Sequence, residues 1–115
     1  MKDNVVQEKA YAFALAVVAI CRRLQDQREY VLSRQLIKSG TSIGANIEEA
    51  QAGQSRADFL SKMSIALKEA RETNFWLRVL RDCREFPSLD FEPLAESSAE
   101  LVRILTAIVK TTAES

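Results

Sequence analysis

Histidine does not occur in this chain. Its absence removes the most frequent general base, the commonest transition-metal ligand, and every serine–histidine or cysteine–histidine nucleophile pair. The Glu-x-x-His signature of di-iron helix bundles goes with it. Glycine occurs three times and proline twice in 115 residues, too little punctuation for a sandwich or barrel of short strands. The two cysteines, Cys21 and Cys83, have no Cys-x-x-Cys partner and read as free thiols packed as small hydrophobes. No apolar run is long enough for a bilayer, since the longest, Ala10 to Cys21, also lacks the basic start and cleavage site of a signal peptide. A cytoplasmic protein with no membrane association is therefore expected. An excess of either charge is missing too: sixteen Lys plus Arg balance sixteen Asp plus Glu, so no global field draws the protein to nucleic acid or anionic lipid.

What is present is helical periodicity. A first helix over about 4–25 carries Val6, Ala10, Phe13, Val17, Ile20 and Leu24 on one seam. A second, about 29–53, carries Leu36, Gly40, Ile43, Ile47 and Ala50. The third, about 56–86, opens with Ser55 as an N-cap and Asp58 three residues later. Its seam is Phe59, Met63, Ala66, Ala70, Thr73, Leu77 and Leu80, and Pro87 stops it. The fourth, about 90–113, accepts Pro93 in its first turn and carries Leu94, Ser98, Leu101, Leu105 and Ile108. Four amphipathic helices on short links bury their seams as one all-α domain over 1–115, an antiparallel up-down-up-down four-helix bundle. Helix three has apolar flanks as well, with Ile65, Trp76 and Val79 on one side of its seam and Leu60 and Leu67 on the other. They face either the same bundle or, at Trp76, another subunit.

The stretch "SGTSIGANIEEA" over 39–50 places Gly40 and Gly44 four residues apart in a helix interior, where each glycine costs roughly 1 kcal/mol against alanine. It is no phosphate loop, because it lacks the Gly-Lys-Ser/Thr ending and follows no strand. Small-residue packing is the better reading: both glycines, beside Ser39, Thr41 and Ala45, admit a neighbouring backbone in the bundle or its assembly. Thr41 and Ser42 bond back to carbonyls one turn earlier, and Asn46 is free to bond to another helix. Glu48, Glu49, Glu69 and Glu72 are the only carboxylates arranged even loosely for a metal, and adjacent or salt-paired positions argue against that use. No cofactor or metal is expected.

Charge is unevenly distributed: residues 22–38 and 56–84 each sum to +3, whereas 85–115 sums to −4. Arg71, Arg78 and Arg81 share a flank of helix three, with Asn74 between them. Arg22, Arg23, Arg28, Arg34 and Lys38 gather around the first helix–helix turn, where a bundle brings some of them toward Lys62 or Arg84. Such arginines hold phosphates without reading sequence. No aromatic-rich platform for stacking bases is evident beside them, and many exterior cations simply face water. Repetition around a ring multiplies any small patch.

The run from Val31 to Leu80, "VLSRQLIKSGTSIGANIEEAQAGQSRADFLSKMSIALKEARETNFWLRVL", resembles the four helix bundle proteins encoded in 23S rRNA intervening sequences, and "FALAVVAICRRL" suits their first helix. "SGTSIGANIEEA" and "KMSIALKEARET" carry the likeness. It implies a ring-like homopentamer related to the accessory bundle proteins of diversity-generating retroelements, with a basic surface for rRNA or other nucleic acid and no catalytic residues. It places weight on Ser39, Gly40, Thr41, Ser42, Gly44 and Asn46, and on Lys68, Glu69, Arg71, Glu72 and Trp76. The neutral net charge and acidic fourth helix depart from strongly basic relatives. Two functions are therefore expected to compete: an oligomeric nucleic-acid-binding module, and a scaffold that binds only protein.

Overall fold

A computed structural model describes residues 4–115 as four α-helices: α1 (Asn4–Asp26), α2 (Val31–Gln51), α3 (Arg56–Asp82) and α4 (Glu92–Glu114). Cross-helix contacts establish their directions. Gln7 meets Glu48 and Cys21 meets Ser33, so residue numbers rise along α2 as they fall along α1. The pairs Thr73–Ser39 and Lys62–Glu49 do the same for α3 against α2, and Asn74–Ser98 and Arg81–Glu92 for α4 against α3. Lys9–Glu100 joins α1 to α4. Each helix is antiparallel to its two neighbours, diagonal helices keep their backbones apart, and the α1–α4 seam is the sparsest of the four. The result is a rod of 46 × 23 × 20 Å.

The helix ends follow local chemistry. Leu24 accepts from the Glu29 backbone N–H at 2.9 Å and Gln25 accepts from Arg28 at 2.9 Å, closing α1 in a Schellman motif with Arg28 in the left-handed region, φ 66°. Glu29 was expected inside the second helix. Instead its carboxylate accepts from the Leu32 N–H at 2.8 Å and stands in for a cap, so α2 begins at Val31. Ser55 accepts from the Asp58 N–H at 3.1 Å, as its spacing implied. α3 stops at Asp82, short of the expected 86, because Arg84 adopts φ 60° and turns the chain before Pro87 acts. The turn carries Phe86, Leu89 and Phe91 into the core, with the two phenylalanine rings edge-to-face at 6.5 Å, so one pole is closed by an aromatic lid.

The seams on α2 are buried as expected, whereas α1 changes one position: Cys21 is fully buried and Ile20 only half-buried. The small thiol fits beneath the first turn of α2, 3.5 Å from the Ser33 carbonyl, and displaces the larger isoleucine to the margin. Phe59 and Ile108 are likewise half-buried, beside Val6 and Met63 at the open pole. Among the described residues no buried side-chain polar atom lacks a partner. Ser39 and Thr73 meet at 2.8 Å across the α2–α3 seam, an arrangement that keeps two hydroxyls satisfied where unpaired ones would be costly.

The two glycines of α2 differ. A methyl on Gly40 would lie 2.9 and 3.0 Å from the two γ-carbons of Val17, and a fully buried β-branched side chain has little freedom to yield. A methyl on Gly44 would sit 3.5 Å from the Ala10 carbonyl oxygen, an ordinary contact. Close packing therefore requires Gly40, whereas Gly44 is half-buried and its helix runs along the α1 backbone with room for a methyl. Thr41 and Ser42 do bond back, to Ile37 and Lys38 carbonyls at 2.7 Å each. Asn46 does not cross to another helix: its amide donates to the Ser42 carbonyl at 2.9 Å on its own helix.

Gly40→Ala is expected to destabilise the protein by about 1 kcal/mol net, because about 2 kcal/mol of overpacking exceeds the helix-propensity gain. Gly44→Ala should instead raise the melting temperature. A thermal melt of both variants, with Gly40→Ala repeated in a Val17→Ala background where the clash is relieved, checks the assignment.

Candidate nucleic-acid interface

The outward face of α3 opposite its core seam is read by the series Ser64, Lys68, Arg71, Phe75, Arg78 and Asp82, spaced 4-3-4-3-4. All six are exposed. Among the described residues, Lys68, Arg71 and Arg78 have no carboxylate within ion-pair distance. Three unpaired cations thus share one helical stripe about 15 Å long. Phe75 lies in its middle, 48% exposed.

Arg78 is held in place from behind. Asn74 donates through its amide nitrogen to Ser98 Oγ at 2.9 Å and to the Ala95 carbonyl at 3.2 Å, both on α4. Its amide oxygen accepts from Arg78 Nε at 2.8 Å. The guanidinium carbon then sits 5.8 Å from the centroid of the Phe75 ring, within cation–π range. Trp76 meets the same ring in a T-shaped contact, centroids 5.2 Å apart. Its indole N–H donates to Glu72 at 3.1 Å, which turns that carboxylate away toward the tryptophan. Trp76 and Leu67, one from each flank of α3, pack half-buried against the core, and Ile65, Val79 and Leu60 are half-buried as well.

Arg81 is differently placed. Its guanidinium bonds Asp82 through Nε at 2.8 Å and Glu92 through Nη1 at 3.1 Å. The hydrogen bonds to Asp82 and then Glu92 push its pKa further up, and the same bond to Arg81 holds the Asp82 carboxyl below the usual carboxylate range. Expected to share the free stripe, Arg81 is engaged instead in joining α3 to α4.

A second group of cations lies toward the pole with the aromatic lid. Arg22 and Arg23 sit on the last turns of α1, Arg28 in the turn that follows, and Arg34 and Lys38 on the first half of α2, all exposed. Gln27 donates to Ser88 Oγ at 3.2 Å, which puts the α1–α2 turn against the α3–α4 link and brings Arg84 to the same pole. Lys62 lies at the opposite end, where it pairs with Glu49 at 2.8 Å. Among the described residues, the two non-glycine residues with positive φ, Arg28 and Arg84, are both arginines of this pole. Among the described residues no group of three or more Asp, Glu or Cys is placed to hold a metal ion. Glu48, Glu49 and Glu72 are bonded to Gln7, Lys62 and Trp76 respectively. Burial pushes the Cys21 thiol up to about 11, against a smaller opposing effect of Arg22, whereas Cys83 is exposed rather than packed inside.

Sequence reasoning centred on seams passed over Phe75. The signal was available: one aromatic residue on the stripe farthest from the core, flanked at −4 and +3 by arginine.

The model of the 23S rRNA-intervening sequence protein family matches residues 2–107. The chain belongs to that family. It is also similar to a crystal structure of a protein with unknown function from the S23 ribosomal protein family of Bacteroides thetaiotaomicron, at 45% identity and TM-score 0.86 over 96% of this chain and 99% of that one. No curated protein matches it by sequence. Among the described residues no helix is long and apolar enough to cross a membrane.

Arg28→Gly is expected to stabilise the family member by up to about 1 kcal/mol, since glycine alone takes the left-handed position without steric cost. Denaturant melts of Arg28→Gly and Arg84→Gly test whether those arginines are held at a cost to the fold.

Proposed function

We propose that this protein is a non-enzymatic module that assembles with copies of itself and holds structured RNA or another nucleic acid through repeated arginine and lysine patches. The observation that carries the reading is the outer stripe of α3, where Lys68, Arg71 and Arg78 stand exposed with no carboxylate partner among the described residues. Cations left unpaired in a chain of zero net charge are available to phosphate, and release of counterions supplies the affinity. The lid pole adds Arg22, Arg23, Arg28, Arg34 and Arg84, interspersed there with Asp26, Glu29, Glu85 and Asp90. The chain has no histidine and its convergent polar groups are internally bonded, which favours binding over catalysis.

Self-association is supported by α1. Its segment from Ala10 to Cys21 contains no charged residue, although only one side of it faces the core. Tyr11 is 63% and Leu15 57% exposed, with Ala12, Ala16 and Ala19 exposed alongside. A helix apolar on all sides is normally enclosed on all sides, and a second copy supplies the missing cover. The pentameric ring of the resemblance is one closed form that such an interface takes. A scaffold that binds only protein is the competing reading, favoured by the same α1 face.

Anisotropy titrations against a structured rRNA fragment across a salt series should show a steep loss of affinity with salt. Arg71→Ala with Arg78→Ala should lower the salt slope by about 0.7–0.9 for each phosphate that the variant no longer neutralises, while Arg81→Ala leaves it nearly unchanged. Absence of binding at low salt would overturn the nucleic-acid reading in favour of the protein scaffold. Light scattering after size exclusion should give a mass several times 12.9 kDa, reduced to the monomer by Leu15→Glu; a monomeric wild type contradicts assembly.

A further inference from the structure

We infer that the α3 stripe takes single-stranded nucleic acid, with an unpaired base stacked on the Phe75 ring and the adjoining phosphates on Arg71 and Arg78. This deepens the proposed nucleic-acid reading and rests on it. The core does not account for a large apolar side chain in the centre of a cationic, solvent-facing stripe: Phe75 is 48% exposed and lies opposite the core seam of its own helix. Replacing it by a polar residue would cost the fold little. Its surroundings are those of a stacking site. The ring is braced edge-on by Trp76 at 5.2 Å, and Arg78 is fixed over it at 5.8 Å by the Asn74 amide, which is itself anchored to α4. Ring and guanidinium are thus positioned before any ligand arrives, which spares the ordering cost of binding.

The chemistry of the stripe selects among ligands. An aromatic face recognises the π-face of a base, which is hidden in a duplex and open in a loop, bulge or single strand. Arg71 and Arg78 lie about 10.5 Å apart along the helix axis, one on each side of the ring, so they reach backbone on both sides of a stacked nucleotide. Lys68 extends the cationic track by another turn. No carboxylate interrupts the stripe between Ser64 and Arg78, and Glu72 beside it is drawn off by the Trp76 indole. An acidic protein segment would use the cations but would have no use for an exposed ring already braced for stacking.

The test is fluorescence anisotropy of the assembled protein with two labelled probes, an unstructured oligoadenylate RNA dodecamer and a blunt RNA duplex of equal length. Phe75→Leu keeps the apolar bulk and removes the π-system. It should weaken the single strand at least about fivefold and leave the duplex within about twofold, while Phe75→Tyr restores the single-strand affinity. Arg71→Ala should weaken both probes. If Phe75→Leu changes neither probe while Arg71→Ala still does, stacking is overturned and the phosphate-binding reading stands. If neither probe binds wild type at low salt, both fall. If Phe75→Leu alters the assembled mass and not the affinity, the face is a subunit interface and the inference is overturned in that way. Thermal melts of each variant confirm that the bundle is intact.

Discussion

The contact between Gly40 and Val17 sets how near α1 lies to α2, and much of the molecule follows from that spacing. The γ-carbons of Val17 lie 2.9 and 3.0 Å from where a β-carbon on Gly40 would stand. The neighbouring turns then fall into register, Ala10 against Gly44 and Cys21 under Ser33. Because the α1–α4 seam is the sparsest of the four, α1 is positioned chiefly through α2. A glycine in mid-helix costs propensity, and here that cost is offset by a fully buried Val17 packed closer than an added β-carbon would allow without a shift.

α1 emerges with its buried seam satisfied and its outward side still apolar. α3 shows the opposite pattern, with half-buried hydrophobes on both flanks and its outward side given to cations around one phenylalanine. Under the proposed function the two helices divide two tasks suited to different chemistry: removal of apolar area from water, which needs a large matching surface, and phosphate binding, which needs cations free of internal partners. Asn74 links the second task to the fold, since one amide ties α3 to α4 and holds Arg78 in position.

The number of helices, their order and most seam positions were legible in the sequence because burial of one face imposes a period that any core-facing helix must keep. The link after α3 was not. A proline at 87 marks a stop, but the reversal begins at Arg84, in a left-handed conformation that an arginine does not advertise, and the burial of Phe86, Leu89 and Phe91 depends on the open end of a bundle that exists only once folded. Charge was read as position alone. Arg81 pairs with its neighbour Asp82 and also with Glu92, eleven residues away on another helix, a contact that only the folded bundle supplies, and the shift from Ile20 to Cys21 depends on the room beneath α2. Phe75 was within reach of the helical period, had the face away from the core been drawn with the same care as the face toward it.

The aromatic lid makes the two ends of the rod unlike. One end is closed by Phe86, Leu89 and Phe91 and bears most of the arginines outside α3, and the other ends in the short link from Ala52 to Ser55 with Lys62 tied to Glu49. In a cyclic assembly every subunit points the same way along the axis. A ring of such rods would consequently be a two-sided disc, aromatic lids on one side and the Ala52–Ser55 links on the other, and whatever approached along its axis would meet a different molecule from each direction.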